Sequence, residues 1–464
     1  MKRISLTIVF YFFTLGATNA QYNVLFNFNG NNGGGPTGSL LKSGNTLYGR
    51  SNYGGVGGAG NIFSIDTNGG NFHDLFDFNN SQLNYSNGGL TLCGSVLYGM
   101  ANDGGVNGHG GIFSIHTDGS GYKDMHDFSS NCGVDAGSLI VSGNRLFGMA
   151  YFDGLNGDGC VFSIDTSGKV FKDIYDFTYP QDGQHLASLI LSGKILYGMA
   201  FNGGVHGFGC IFSLDTAGVA YTDLYDFDSI HGSTPYGSLV LVGNKLYGET
   251  LWGGANNDGV IFSVNINGSN YKDLVDFNGK NGNSSIFGSL TPVGAQLYGL
   301  TESGGDSNAG CIFSIDTNGS NYKVLYSFDS VIGGRYPIGS LTSSGDILYG
   351  TTSTADSDGT IFSFNLSGLN GIPIAKDSSI CCLSVYPNPN NGIFNLQLGI
   401  RNYESCRVEV YNALVEQVYQ KTLRPAQGDN YGIDLSNEAS GIYLYRVLSE
   451  DGRLLGTGKF VIEK

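Results

Sequence analysis

The chain has 464 residues, of which 75 are glycine, 12% are aromatic and only 13% are charged. A glycine excess without a G-X-Y period, combined with many aromatic residues, excludes a collagen-like chain and an extensively disordered one. The formal net charge of −16 argues against a nucleic-acid-binding protein, because phosphate contacts require a basic face.

The N-terminus has the parts of a secretory signal. It begins with Met1-Lys2-Arg3, continues with an apolar run over residues 4–15, and reaches small residues before Ala20. A basic start, a short apolar core and a small-residue cleavage site are typical of signal peptides. The apolar run is too short to span a membrane as a helix. We therefore predict a signal peptide over residues 1–20 and no transmembrane segment in the mature chain.

Residues 21–368 repeat one unit seven times. Each copy contains G-S-L, then L-Y-G, then I-F-S, then a segment ending in F-x-F or D-F. The second of these marks stands at Leu47–Gly49, Leu97–Gly99, Leu146–Gly148, Leu196–Gly198, Leu246–Gly248, Leu297–Gly299 and Leu348–Gly350. A fixed period of about 50 residues indicates a solenoid, a propeller or an array.

Each unit holds four strand-like segments, and helical periodicity is absent. Four short strands in a unit of this length are typical of a β-propeller blade. The copies of the fourth strand are shifted, because one copy, Tyr22–Phe28, precedes the first G-S-L and none follows Phe364. An open array would leave two unpaired strand edges, which promote aggregation. The sequence therefore predicts an all-β, seven-bladed propeller in which Tyr22–Phe28 pairs with Thr360–Asn365.

Two of the four connections in each unit are long and variable, and up-and-down strands place both at the same end of the ring. Binding residues favour variable loops on a rigid scaffold. Aromatic side chains in these loops are candidates for stacking on a sugar ring or anchoring a protein. The candidate ligand-binding residues are Tyr53, Phe152, Phe201, Tyr236, Trp252, Phe287 and Tyr336. The competing interpretation is that these rings fill gaps between blades.

The sequence contains no constellation that indicates catalysis or metal binding. The cysteines lack zinc-type spacing, no G-x-S-x-G elbow occurs, and no two of the seven histidines are four residues apart. Loop carboxylates do not follow the spacing of an EF-hand calcium loop, so they are interpreted as solvated turn residues, although calcium binding remains an alternative. We therefore predict no catalytic residue, no metal and no cofactor. The loop carboxylates are Asp103, Asp153, Asp158, Asp258, Asp306, Asp356 and Asp358.

After residue 368 the composition changes. Residues 369–383 read as a linker, and residues 384–464 contain alternating strand patterns that predict a small β-sandwich. The segment contains Y-P-N-P-x-x-G, G-I-Y-L and a basic terminal K-F-V-I-E-K, and it resembles the type A sorting domain of the type IX secretion system of Bacteroidota. The resemblance covers nearly all of residues 384–464. Its motif residues are Tyr386, Pro387, Asn388, Pro389, Gly392, Gly441, Tyr443, Lys459 and Lys464.

The sorting-domain resemblance implies periplasmic passage, translocation by the type IX secretion machinery, and either release or attachment at the outer-membrane surface. Residues 22–368 resemble the GloVer tandem-repeat family, whose members carry L-Y-G-x-T and G-x-(I/V)-F repeats; kelch repeats are the second choice. The GloVer resemblance implies secreted or surface display, and it implies no established activity.

Together these features favour a secreted or surface-attached binding or adhesion module, with a polysaccharide or protein ligand at the long-loop end. Two alternatives stay open. One is an extracellular glycan hydrolase or lyase, which would need loop acids such as Asp153 and Asp258 to converge. The other is a purely structural surface protein. We expect a monomer that interacts with the secretion machinery and not with nucleic acid.

Overall fold

The structure is a computed structural model. It describes residues 22–79, 83, 88–128, 137–151, 154–183, 188–283, 288–329, 334–354, 358–367, 380–386, 390–400, 405–412, 417–423, 429–449 and 454–464. The predicted signal peptide and most of the predicted linker lie outside these residues. The chain divides into two compact units, residues 1–366 and 367–464.

Among its described residues, unit 1 has β-strands joined by turns and loops, and no helix. The first strands are β1 (Tyr22–Asn27), β2 (Gly34–Ser43), β3 (Thr46–Tyr53), β4 (Asn61–Asp66), β5 (His73–Asp77), β6 (Thr91–Cys93), β7 (Val96–Ala101), β8 (Gly111–His116) and β9 (Lys123–Asp127). The next are β10 (Ile140–Ser142), β11 (Arg145–Ala150), β12 (Cys160–Asp165), β13 (Phe171–Asp176), β14 (Ile190–Ser192), β15 (Ile195–Ala200), β16 (Cys210–Asp215) and β17 (Thr222–Asp226). The last are β18 (Val240–Val242), β19 (Lys245–Glu249), β20 (Val260–Asn265), β21 (Lys272–Asp276), β22 (Thr291–Val293), β23 (Gln296–Thr301), β24 (Cys311–Asp316), β25 (Lys323–Ser327), β26 (Arg335–Pro337), β27 (Thr342–Ser344), β28 (Ile347–Thr354) and β29 (Thr360–Asn365).

These strands form antiparallel sheets of four consecutive strands. Sheets 1 to 6 are β2–β5, β6–β9, β10–β13, β14–β17, β18–β21 and β22–β25. Sheet 7 combines β26, β27, β28 and β29 with the N-terminal β1. The described residues include no helix long and apolar enough to cross a membrane.

The N-terminal strand β1 pairs with β29, the last strand of unit 1. Tyr22 lies opposite Phe364 and Asn27 opposite Thr360, in antiparallel register. The pairing that the shifted strand count predicts is therefore present. It gives β29 a partner on its outer edge, so neither strand is left unpaired.

The glycine of each L-Y-G makes room for the phenylalanine of the I-F-S strand beside it. In sheet 4, Gly198 lies opposite Phe212, and a Cβ on Gly198 would lie 2.5 Å from Cζ of that ring. The same close approach, at 2.2–2.6 Å, occurs at the glycine of every copy. Phe212 is fully buried, so the two motifs are one packing unit.

The side chain of Phe212 also belongs to a core shared with the preceding sheet. It packs in one cluster with Phe147 and Met149 of sheet 3. Hydrophobic burial between sheets, at about 25 cal/mol per Å² of apolar surface, is the main stabilising contribution here. Each sheet therefore depends on its neighbour.

Unit 2 contains β30 (Ile380–Tyr386), β31 (Ile393–Ile400), β32 (Cys406–Tyr411), β33 (Gln417–Leu423), β34 (Asp429–Asp434), β35 (Gly441–Ser449) and β36 (Leu454–Ile462). One antiparallel sheet has the order β30-β31-β34, and the other has the order β33-β32-β35-β36. Phe394 and Leu396 of the first sheet share a core with Val408, Tyr443 and Phe460 of the second.

Candidate functional site

The G-S-L motifs line a small cavity at the inner edges of the sheets. Its volume is about 200 Å³. Every copy contributes at least its middle G-S-L residue to the wall, namely Ser39, Gly89, Ser138, Ser188, Ser238, Ser289 and Ser340. The sequence shows this motif as a repeat mark, and only the fold shows that its copies face a common space.

Hydrogen bonds run from sheet to sheet around this cavity. The backbone N–H of Ser138 donates to Oγ of Ser188 at 2.7 Å, and the N–H of Ser188 donates to Oγ of Ser238 at 3.1 Å. The N–H of Ser340 donates to Oγ of Ser39 at 2.9 Å, which joins sheet 7 to sheet 1. The serine at this position therefore links neighbouring sheets. This structural role does not require a ligand in the cavity.

The two sets of long loops lie at the same end of unit 1 and contact each other. The N–H of Gly254, in the loop after β19, donates to the carbonyl of Ser229, in the connection between sheets 4 and 5. The same contact joins Gly55 to Gly30 and Gly305 to Gly279. We refer to this end as the long-loop end.

Aspartates near the ends of the fourth strands hold the long loops in place. Oδ1 of Asp226 accepts from the backbone N–H of Val205 at 2.8 Å. The equivalent donor–acceptor pairs are Val56–Asp77, Val106–Asp127, Leu155–Asp176 and Ala255–Asp276. In sheet 6, Ser327 replaces the aspartate, with a distance of 3.4 Å from the N–H of Asp306. The aspartate of the D-F mark is thus a loop anchor, which the sequence did not reveal.

Burial perturbs the carboxyl group beside one of these anchors. Desolvation of Asp223, reinforced by the neighbouring carboxylate of Asp226 and a hydrogen bond with it, raises the pKa of Asp223 to about 6. Two adjacent carboxyl groups do not both ionise readily. This arrangement serves the fold, because Asp226 is occupied by the backbone of Val205.

Three aromatic rings from neighbouring sheets meet at the long-loop end. The ring centroid of Phe201 lies 5.8 Å from that of Tyr151 and 6.1 Å from that of Tyr236, the latter in an edge-to-face arrangement. All three side chains are half-buried. Tyr236 stands two residues before Ser238, which lines the cavity. We call Tyr151, Phe201 and Tyr236 the aromatic cluster.

The other predicted aromatic residues that the structure describes, Tyr53, Trp252 and Tyr336, are not part of the aromatic cluster. The ring of Tyr53 covers Gly34 and Gly35, and its hydroxyl donates to Oδ1 of Asp358 at 3.2 Å. Trp252 exposes 45% of its surface, and its backbone pairs with that of Ser233. Tyr336 is half-buried. Phe152 and Phe287 lie outside the described residues.

Tyr151 and Phe201 share one position of the repeat, three residues after the glycine of L-Y-G. The other copies place Asn52, Asn102, Leu251, Glu302 and Ser353 there. This position is therefore aromatic in sheets 3 and 4 only. Desolvation raises the pKa of the half-buried Glu302. Aligning the repeats would have revealed Tyr151, which sequence reasoning missed because it considered the loop residue that follows.

Two loop carboxylates of the sequence analysis accept hydrogen bonds within the long loops, one from a backbone N–H and one from a side-chain hydroxyl. Oδ2 of Asp158 accepts from the N–H of Tyr179 at 3.0 Å, and Asp358 accepts from Tyr53. Within the described residues, no group of three or more His, Cys, Asp or Glu side chains is placed to hold a metal ion. Asp153 and Asp356 lie outside the described part of the chain.

The cysteines at the repeat position before I-F-S are packing residues. Cys160, Cys210 and Cys311 are fully buried and not in disulfides. This agrees with the small-residue packing that the sequence indicates. Burial is the main cause of the raised pKa of the Cys311 thiol, to about 11, and a thiol that stays protonated is a poor nucleophile.

The sorting motif of unit 2 combines turn and core residues. Gly392 has a φ of 97°, which favours glycine, and its N–H donates to Oδ1 of Asn390 at 2.8 Å. Tyr443 is buried and donates to the carbonyl of Ala439 at 2.8 Å. Nζ of Lys464 donates to the carbonyls of Ser436 and Glu438. Tyr386 ends β30, Gly441 begins β35, Lys459 lies in β36, and residues 387–389 are outside the description.

Solved structures with a similar arrangement share little sequence with this chain. An oligogalacturonate lyase from Vibrio parahaemolyticus has 10% identity and a TM-score of 0.43, covering 74% of this chain and 93% of its own. The β-propeller domain of the Trilobed protease from Pyrococcus furiosus has 10% identity and a TM-score of 0.44, covering 71% and 95%. PorZ, a surface component of the type IX secretion system of Porphyromonas gingivalis, has 15% identity and a TM-score of 0.34, covering 91% and 65%. Similarity at this level says nothing about activity.

Two family models match the chain, whereas no curated protein matches it. The model of the Gloeobacter/Verrucomicrobia repeat matches residues 11–151, 131–248 and 241–371. The model of the secretion system C-terminal sorting domain matches residues 384–463. This sorting domain directs export by the type IX system to the cell surface or the extracellular space. The chain therefore belongs to the Gloeobacter/Verrucomicrobia repeat family and carries a type IX secretion sorting domain at its C-terminal end.

Proposed function

We propose that unit 1 is a seven-bladed β-propeller and that unit 2 is a small β-sandwich. Sheets 1 to 7 would be the blades, and β1 would complete the last one. The pairing of Tyr22 with Phe364 and the hydrogen bond from Ser340 to Ser39 support this closure. The shared core of Phe394 with Phe460, whose ring centroids are 4.3 Å apart, supports the sandwich.

We further propose that the exported protein binds an extracellular polysaccharide at the aromatic cluster. The observation that supports this most is the meeting of the rings of Tyr151, Phe201 and Tyr236. Tyr236 stands two residues before Ser238, which lines the cavity. Sugar rings present flat C–H faces that pack on aromatic rings, and their hydroxyls require polar partners nearby. Ligand pockets combine such apolar surface with a few convergent polar groups.

The anchored loops would hold a binding site in a preformed arrangement. The N–H of Leu155 is held by Asp176 at 2.7 Å, and that of Val205 by Asp226 at 2.8 Å. These loops follow the two positions that carry Tyr151 and Phe201. A site held by rigid loops loses less conformational entropy when a ligand binds.

The experiment is to measure glycan-array and calorimetric binding for the mature chain. We expect Phe201→Ala and Tyr236→Ala each to weaken the affinity by about tenfold, which corresponds to about 1.4 kcal/mol. Trp252→Ala is the matched control, because its exposed ring lies outside the aromatic cluster, and it should leave affinity unchanged.

Three outcomes of this experiment are informative. Loss of binding in Trp252→Ala but not in Phe201→Ala would move the site away from the aromatic cluster. The ligand would be a protein if no glycan binds, and if the chain captures a protein whose binding is weakened by Phe201→Ala and Tyr236→Ala but not by Trp252→Ala. Binding that survives all three substitutions would contradict the proposed site.

A further inference from the structure

The G-I-Y-L motif of unit 2 presents two aliphatic side chains to solvent. Tyr443 and Tyr445 of β35 point into the core and are 4% and 6% exposed. The alternating residues Ile442 and Leu444 are 56% and 50% exposed. Successive side chains of a strand point to opposite faces, so the tyrosines account for the packing of this motif and the aliphatic residues do not.

Cross-strand partners extend these two side chains into a patch. Ile442 lies opposite Val461 of β36, and Leu444 lies opposite Tyr411 of β32. Directly opposite residues share a face, with Cβ atoms about 5 Å apart. Tyr411 and Val461 are half-buried. We call Tyr411, Ile442, Leu444 and Val461 the outer patch.

A charged network borders the outer patch. Glu409 is buried and accepts from Nε of Arg407 at 2.8 Å and from Nε of Arg446 at 2.5 Å, and the hydroxyl of Tyr411 donates to it at 2.7 Å. Two guanidinium groups against one carboxylate leave this border with one net positive charge. The network fixes Tyr411 and Arg446, so the border of the patch is held in one arrangement.

We propose that the outer patch is the surface through which unit 2 docks on the type IX secretion machinery. The sorting domain must contact that machinery for export. The outer patch offers what an interface core requires, namely adjacent aliphatic and aromatic side chains, of which Ile442 and Leu444 are at least half exposed. Its border fits an apolar partner surface flanked by a carboxylate. This proposal does not depend on polysaccharide binding by unit 1.

The test is export of the full chain in a host with a functional type IX system. Ile442→Thr combined with Leu444→Thr places a β-branched residue, which strands favour, at both positions of β35 and removes the two exposed aliphatic side chains of the outer patch. We expect the extracellular and surface fraction to fall at least tenfold, with full-length chain retained in the periplasm. The matched control is Ile393→Thr, because Ile393 is 54% exposed on the other sheet, and it should be exported normally.

A photo-crosslinking residue provides the second readout. Placed at Leu444 of the otherwise unchanged chain, it should form an adduct with a component of the secretion machinery, whereas at Ile393 it should not. This variant tests the contact even where the double substitution reduces folding. Thermal unfolding of the purified variants identifies such a folding defect.

Three results would overturn the proposal. The first is normal export of the double variant. The second is an equal export defect in Ile393→Thr. The third is crosslinking of position 444 to unit 1 of the same chain, together with a lowered unfolding temperature and unchanged export, because the outer patch would then be covered within the molecule.

Discussion

At the scale of single residues, the repeat marks have separate physical roles. The glycine of L-Y-G leaves space for a ring, the phenylalanine of I-F-S fills that space, and the aspartate of D-F anchors a loop. Gly198, Phe212 and Asp226 show the three roles in sheet 4. None of these residues requires a ligand to explain it, so they are poor candidates for the binding site although they recur most regularly.

The close contact between Gly198 and Phe212 predicts that adding one methyl group to this glycine destabilises unit 1. Gly198→Ala would place Cβ 2.5 Å from Cζ of the buried ring of Phe212, and such overpacking costs about 1–3 kcal/mol. We expect the free energy of unfolding of unit 1 to fall by this amount, measured by denaturant titration. Gly441→Ala is the control, since a Cβ there has no atom within 4 Å. Equal stability of both variants would contradict this packing role.

The carboxyl pair of sheet 4 predicts a dependence of stability on pH. Burial and Asp226 raise the folded-state pKa of Asp223 to about 6, above the unfolded value of about 3.9. A raised carboxyl pKa contributes stability that is complete below the unfolded value and is lost as the pH rises through 6. The stability of Asp223→Asn relative to the wild type should therefore increase as the pH is raised from 4 to 7.

Thermal unfolding at pH 4 and pH 7 measures this effect. Thr222→Ala, one residue away, changes no titrating group and serves as the matched control. Its stability relative to the wild type should be independent of pH. A constant difference between Asp223→Asn and the wild type over the same range would refute the prediction.

At the scale of strands and sheets, the N-terminal β1 connects the two ends of the repeat array. Tyr22 stacks on Tyr326 of sheet 6 at 4.3 Å, and Phe26 stacks on Phe72 beside sheet 1 at 4.1 Å. One strand thus contacts both neighbours of sheet 7 in addition to pairing with β29. We therefore expect the proposed closure to depend on these rings as well as on backbone hydrogen bonds.

Removing the two rings of β1 tests closure. Tyr22→Ala combined with Phe26→Ala should destabilise unit 1 by several kcal/mol, because truncation of a buried aromatic side chain costs about 3–5 kcal/mol and both rings here are partly exposed. Release of β1 would also expose an edge strand, so we expect oligomers in size-exclusion chromatography. Asn23→Ala is the control, since this side chain of β1 is exposed. A monomeric double variant of unchanged stability would show that β1 is dispensable.

At the scale of the whole molecule, display and export belong to separate units. Unit 1 repeats one packing scheme, whereas its long loops and a few other positions, such as the one occupied by Tyr151 and Phe201, differ between copies. Unit 2 belongs to a sorting-domain family, and it presents the outer patch on a sheet whose other face is the core. Substitutions at the aromatic cluster should therefore affect ligand binding without affecting export, and substitutions at the outer patch should do the reverse.

The sequence by itself determined the all-β class, the repeat, the pairing of the first strand with the last, and the sorting domain. These follow from local patterns, because strand alternation, turn residues and a fixed period are written along the chain. Only the tertiary structure decided which aromatic residues meet, since Tyr151, Phe201 and Tyr236 are up to 85 residues apart in sequence and adjacent only across sheet boundaries. It also decided that Ile442 and Leu444 face solvent while Tyr443 does not, because strand alternation gives two faces and only packing against β31 shows which one is the core.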